Sequence, residues 1–193
     1  VKVSFVHEAL RAATAPQHQR LEVEADLEAR LRDTGRRGDA VAALLQFHRE
    51  VDAVSAAFRP ALDAAGVRPG ERVAALARAL ATLGRSTTHT PVAAPPGDLS
   101  AVLGWLYVAE GSALGGRVMR KAMMRDGLDL TGLDFLDPYG DRTGPRWIDF
   151  LALVEAAVSD GRAVASDVVD AAVVAFDRAR VALVPPSTVS SAA

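Results

Sequence analysis

Apolar residues recur along this chain at helical spacing, and nowhere do they alternate with polar ones for more than a few residues, as they would in half-buried strands. Leu10, Leu21, Leu27 and Leu31 mark one side of a first helical region over about 4–32. Ser4 is placed to cap its start. Pro16 should kink or split it, because proline has no N–H to donate and crowds the preceding turn. Residues 34–39 read as a turn, with Asp39 capping a helix that carries Val41, Leu44, Leu45, His48, Val51, Val54, Ala57, Phe58 and Leu62. Pro60 sits near the end of that stripe. A shorter helix over about 70–83 follows through Val73, Leu76, Leu80 and Leu83, and the Ser, Thr and Pro-rich residues 84–97 read as a loop.

The most apolar helix spans Leu99 to about Arg125 and is interrupted by glycines. Residues 127–145, rich in Gly, Asp and Pro, form an irregular connection. Two last helices, about 145–160 and 164–184, carry Trp147, Phe150, Leu151 and Val154, then Val168, Val169, Val173, Phe176 and Val181. The Pro185–Pro186 pair ends the pattern, so 1–185 is expected as one domain and 186–193 as a flexible tail. With no internal repeat, the expected fold class is all-α, a single-domain helical bundle.

Composition narrows the chemistry. The 193 residues include 24 acidic and 22 basic side chains, four histidines and no cysteine. Disulfides, thiolate metal sites, iron–sulfur clusters and cysteine nucleophiles are therefore excluded. A protein-ligated metal must use histidine or carboxylate, and an axial haem ligand would be histidine. The formal charge of −2 argues against a general nucleic-acid binder. The first five residues do not make a signal peptide, and no apolar run reaches membrane-spanning length; a cytoplasmic protein without a membrane partner is expected.

Several catalytic signatures are missing. No glutamate stands three residues before a histidine, as di-iron bundles require. Arg11 occupies the place where a zincin motif starting at His7-Glu8 would need its second histidine, and Ser112 is not in a Gly-x-Ser-x-Gly elbow. Two features remain. Gly111, Gly115 and Gly116 lie inside an apolar helix, at a cost of about 1 kcal/mol each relative to alanine. They serve either close approach of another helix or a kinked backbone lying against a large flat ligand. His18 and Glu22, four residues apart, share a helical face. They are either an exposed pair or a ligating histidine whose other nitrogen is held by a carboxylate. His48 falls on an apolar stripe and reads as packing; His7 and His89 read as solvated.

Together the two features carry a resemblance. Residues 10–22, from Leu10-Arg11 through Thr14 and His18 to Leu21-Glu22, resemble the first helix of haem oxygenases. Residues 106–119, which contain Glu110-Gly111-Ser112-Ala113-Leu114-Gly115-Gly116, resemble that family's glycine-rich distal helix. The form is similar to the bacterial biliverdin-producing enzymes found with bacteriophytochromes, and Tyr139 to Trp147 resembles the loop before their late helices. The resemblance implies haem held between a proximal first helix and a kinked distal helix. His18 would be the iron ligand and Glu22 its partner, with Arg11 and Arg117 toward the propionates. Gly111, Ser112, Gly115 and Gly116 would form the catalytic face.

The implied reaction is cleavage of haem by O₂ to biliverdin, CO and Fe²⁺. Haem would be both substrate and cofactor, and electrons would come from an NAD(P)H-dependent reductase or a ferredoxin. Arg120, Lys121 and Arg125 would form a basic patch for that redox partner, and a bacteriophytochrome could accept the biliverdin. Two departures stand out. Ser112 occupies a position where many haem oxygenases carry aspartate, and the late-helix bases that hold propionates have no counterpart around Trp147 to Val154. A haem carrier without turnover, a helical interaction module, and a relative of the same fold acting on another ligand are the alternatives.

Overall fold

The computed structural model describes residues 5–86 and 97–186, so Ser4, His89 and the tail from 187 lie outside the described residues. The described residues form α1 (Phe5–Ala25), α2 (Leu27–Arg32), α3 (Thr34–Val54), α4 (Arg59–Ala64), α5 (Pro69–Thr82), α6 (Leu99–Arg125), α7 (Thr143–Ser159) and α8 (Ala165–Leu183). Short 3-10 turns at Ala56–Phe58, Asp134–Leu136 and Gly140–Arg142 complete them. No strand occurs among the described residues, and none of their helices is long and apolar enough to cross a membrane.

Three expected boundaries move, each for a local reason. Pro16 stays inside α1, on an exposed face; the break falls at Asp26, which takes the left-handed conformation with φ 42°. Residues 34–39 are the first turns of α3 and not a preceding turn, because Asp33 caps the helix by accepting from the Gly35 and Arg36 N–H groups. Pro60 does not close α3; it sits in the first turn of α4, where a missing N–H leaves no hydrogen bond unmade. The helix α6 has the expected bounds, with Asp98 accepting from Ala101 N at its start, and it stays helical through all its glycines.

The core is organised around α8. Both α1 and α6 pack along it, while α3 and α5 pair beneath. Leu10, Leu31, Leu45, Leu76, Leu80, Leu103, Leu106 and Val168 are fully buried at these contacts. The α6 and α8 backbones come close at Gly104, where an added Cβ would lie 2.5 Å from the Val168 carbonyl oxygen. Glu50 of α3 accepts two hydrogen bonds from Arg178 of α8, at 2.8 and 2.9 Å. The segment between α6 and α7 is fastened by buried arginines: Arg37 donates to the Asp129 and Thr131 carbonyls, and Arg72 to that of Phe135.

Candidate functional site

Because α1 and α6 both lie on α8, a cavity of about 480 Å³ remains between them, floored by α8 and backed by α3. That volume is in the usual range for a cofactor or small-ligand site. From α1 come Arg11, Thr14, Ala15, His18 and Gln19; from α6, Tyr107, Val108, Gly111, Ser112, Leu114 and Gly115. Phe176, Ala179 and Leu183 form the floor, Leu44, Phe47 and His48 the back, and Trp147 one end. The lining is mostly apolar, as a flat hydrophobic ligand requires, and the exposed Arg11, Ala15 and Gln19 mark its open edge.

His18 reaches this cavity from α1, its ring edge-on to Phe176 with centroids 5.8 Å apart. Its Nδ1 is 3.5 Å from Glu22 Oε2, inside ion-pair range and longer than a usual hydrogen bond. This orientation leaves Nε2 as the nitrogen open to a ligand. The side chains are 58% and 68% exposed, so solvent screens the pair.

The glycines of α6 divide by what surrounds them. At Gly115, on the cavity wall, an added Cβ would meet nothing within 4 Å, so no protein neighbour accounts for its being glycine. At Gly111, also on the wall, a Cβ would touch the Trp147 ring at 3.5 Å, an ordinary contact. Gly116 does not line the cavity. Its Cβ would lie 2.5 Å from the Leu136 carbonyl oxygen, so this glycine admits the segment between α6 and α7. The glycine run therefore has no single cause: Gly116 makes room for a neighbouring segment, and Gly115 borders open space.

Arg117 also lies off the cavity wall. It donates to the Gly140 carbonyl and to Asp141 at 2.7 Å, with Asp137 at 4.0 Å, so it latches the same segment. The expected basic patch is interleaved with acids: Arg120 is 3.8 Å from Asp134 and Arg125 3.7 Å from Asp126. Arg11 does border the cavity, near the buried Tyr107 phenol. Burial pushes that phenol up, while a hydrogen bond with Thr14 and the Arg11 charge pull it back. His7, expected in solvent, packs edge-on against Tyr107 and Trp147 at 6.4 and 6.1 Å.

His48 is a wall residue that sequence reasoning read only as packing. It packs in the core as expected, 2% exposed and against Phe47, but it also forms the back wall of the cavity. Its position on the α3 stripe signals burial; only the tertiary arrangement puts its imidazole at a cavity. Burial and then the nearby Arg72 charge hold it neutral, with a pKa well below its ordinary 6.5. The unfolded chain takes up this proton as pH falls through about 6.5, and the folded chain does not. The stability linked to His48 is therefore complete above pH 6.5 and falls by about 1.4 kcal/mol per pH unit below it, down to the folded midpoint. Urea unfolding at pH 7.5 and 5.5 should show a loss that His48→Gln removes.

No protein-family model matches the chain, and no curated protein sequence does. Among solved structures, the haem oxygenase of Neisseria meningitidis, determined with NO and CO bound, matches 94% of this chain and 90% of its own. The TM-score is 0.74 at 22% identity. The chain therefore has the all-α haem oxygenase fold.

Proposed function

We propose that this protein is a haem oxygenase of the bacterial biliverdin-producing type. One observation carries the reading: in a haem oxygenase fold, His18 and the Cβ-free surface of Gly115 line the facing α1 and α6 walls of one apolar cavity. The residues suit haem. His18 offers an imidazole nitrogen, Gly111 and Gly115 leave a flat wall, and Phe47, Phe176 and Trp147 line the interior with apolar surface. When bound, haem is the substrate and also supplies the iron that activates O₂.

The chain's own part is to bind, orient and keep dry. His18 holds the ligand from the α1 side, with Glu22 steadying its ring through Nδ1. Arg11, beside Tyr107, sits at the open edge, where a carboxylate of the ligand meets a cation without being buried. Ser112 donates its hydroxyl to the Ala109 carbonyl at 2.6 Å, and its oxygen keeps acceptor capacity toward the cavity. His48 is a second group on the wall, held neutral by burial and able to accept one hydrogen bond and donate another at its ring nitrogens. Electrons come from an external reductase or ferredoxin, and the product, biliverdin, suits a bilin-binding photoreceptor such as a bacteriophytochrome.

The decisive experiment is hemin titration followed by reductant and oxygen, with chromatography of the product. A Soret band saturating at one equivalent and conversion to a biliverdin isomer support the enzyme. A Soret band that persists under turnover identifies a carrier, and no hemin uptake rejects the haem reading. Gly115→Leu provides a structural control. Its side chain enters open cavity, and leucine is a better helix former by about 1 kcal/mol. The apoprotein should be at least as stable as wild type while hemin affinity falls by about tenfold or more, a loss of about 1.4 kcal/mol per decade.

A further inference from the structure

Aromatic side chains from three helices meet at one end of the cavity, where the reading above treats Trp147 only as apolar lining. The rings of His7 on α1, Tyr107 on α6 and Trp147 on α7 pair with centroids 6.4, 6.1 and 5.4 Å apart, inside the range of aromatic contact. His7 stands one turn before Arg11, the first lining residue of α1, and Tyr107 is the first lining residue of α6. The cluster therefore closes the end at which both walls begin. His18 lies about 16 Å further along α1, at the helical rise of 1.5 Å per residue.

The indole is firmly backed. It stacks on Phe150, which is 2% exposed, with centroids 5.9 Å apart and planes at 26°. The His7 ring stands nearly perpendicular to it, at 80°. On the α6 side its six-membered ring covers Gly111: an added Cβ there would lie 3.5 Å from Cη2 and 3.6 Å from Cζ3. One turn on, at Gly115, an added Cβ meets nothing within 4 Å. The α6 wall is thus covered by indole at one turn and bare at the next. A ring packed against a buried neighbour and flanked on two further sides has little freedom to change rotamer, so it is a rigid boundary and not a pliable filler.

We propose that Trp147 is a specificity-determining residue: an end stop against which the rim of the flat ligand rests. A bond to His18 alone leaves such a ligand free to slide and turn in its own plane, and smooth apolar walls do not oppose that motion. Trp147 opposes it from the end where α1 and α6 begin. It thereby sets which edge of the ligand lies beneath the bare α6 surface at Gly115. The inference rests on the haem oxygenase reading and adds to it the residue that selects the biliverdin isomer.

Nuclear magnetic resonance of the ferric hemin complex with cyanide tests this without turnover. In the wild-type chain the Trp147 indole protons should show Overhauser contacts to peripheral protons of the porphyrin. Trp147→Ala should still take up hemin, but its hyperfine-shifted haem methyl signals should change in position or in number of sets. Under turnover, the ratio of the main biliverdin isomer to the others should fall by about tenfold, the scale on which an apolar pocket tells shapes apart. Trp147→Phe, which keeps a ring against Phe150, should stay nearer wild type. Missing indole contacts in the wild-type complex would overturn the proposal, as would unchanged methyl signals in Trp147→Ala. If the alanine variant does not fold, the wild-type contacts and Trp147→Phe decide. No hemin uptake by the wild-type chain rejects the haem reading and this inference with it; uptake without the indole contacts rejects this inference alone.

Discussion

Gly104→Ala is expected to lower the melting temperature of the apoprotein by roughly 4–12 °C, a stability loss of about 2–3 kcal/mol. By helix propensity alone the change should stabilise by about 1 kcal/mol. Packing decides the sign. The new methyl would lie 2.5 Å from the Val168 carbonyl oxygen, 2.6 Å from Ala171 Cβ and 2.7 Å from Ala172 N. Two of these are backbone atoms of α8, so no rotamer change relieves the contact, and α6 must move off the helix that also carries α1. Gly104→Val, with a branched side chain, should be worse. Gly115→Ala, whose methyl meets nothing within 4 Å, is the matched control and should be neutral or slightly stabilising. Thermal unfolding of the three variants followed by circular dichroism measures this. An unchanged midpoint for Gly104→Ala would mean that α6 and α8 do not approach so closely.

His18→Ala should have the largest effect on the bound state. Hemin should still partition into the cavity, because Phe47, Phe176, Leu183 and Trp147 remain. Its Soret band should lose the position and sharpness of a histidine-ligated haem, and turnover should fall by about two orders of magnitude or more, as for a badly misplaced reactant. Added imidazole should restore the spectrum, since the substitution leaves room for it. Glu22→Gln should do much less: the carboxylate is 68% exposed and 3.5 Å from Nδ1, so solvent weakens the interaction. His48 also borders the cavity and makes the experiment discriminating. If His18→Ala kept the wild-type spectrum and His48→Ala lost it, the ligand assignment would pass to α3.

The candidate site was legible in unequal parts. His18 and Glu22 share a face because four residues make about one helical turn, so their pairing follows from α1 being a helix. The glycine run signalled that something lies close to α6, since unexplained glycines in a helix are costly. It carried no information about which side. Gly115 faces the cavity, Gly116 faces the Leu136 carbonyl, and adjacent residues on a helix point about 100° apart, toward different neighbours. Arg117, beside them, turns to Gly140 and Asp141, which are distant in sequence and close only once the segment before α7 folds back.

What the sequence determined by itself is the helical class and most element positions, because i, i+3, i+4 patterning and caps act within one turn. Its errors were also local: Asp33 rather than Asp39 caps α3, and Pro60 opens α4. Only the tertiary structure decided that α1 and α6 stand apart on α8 with a cavity between them, and that Gly104 lies against the α8 backbone. It alone also set His48 on the cavity wall, between α3 and the space that α1 and α6 enclose. These relations depend on which faces of distant helices meet, and that is set by side-chain volume and buried charge across the whole core, beyond the reach of any local period.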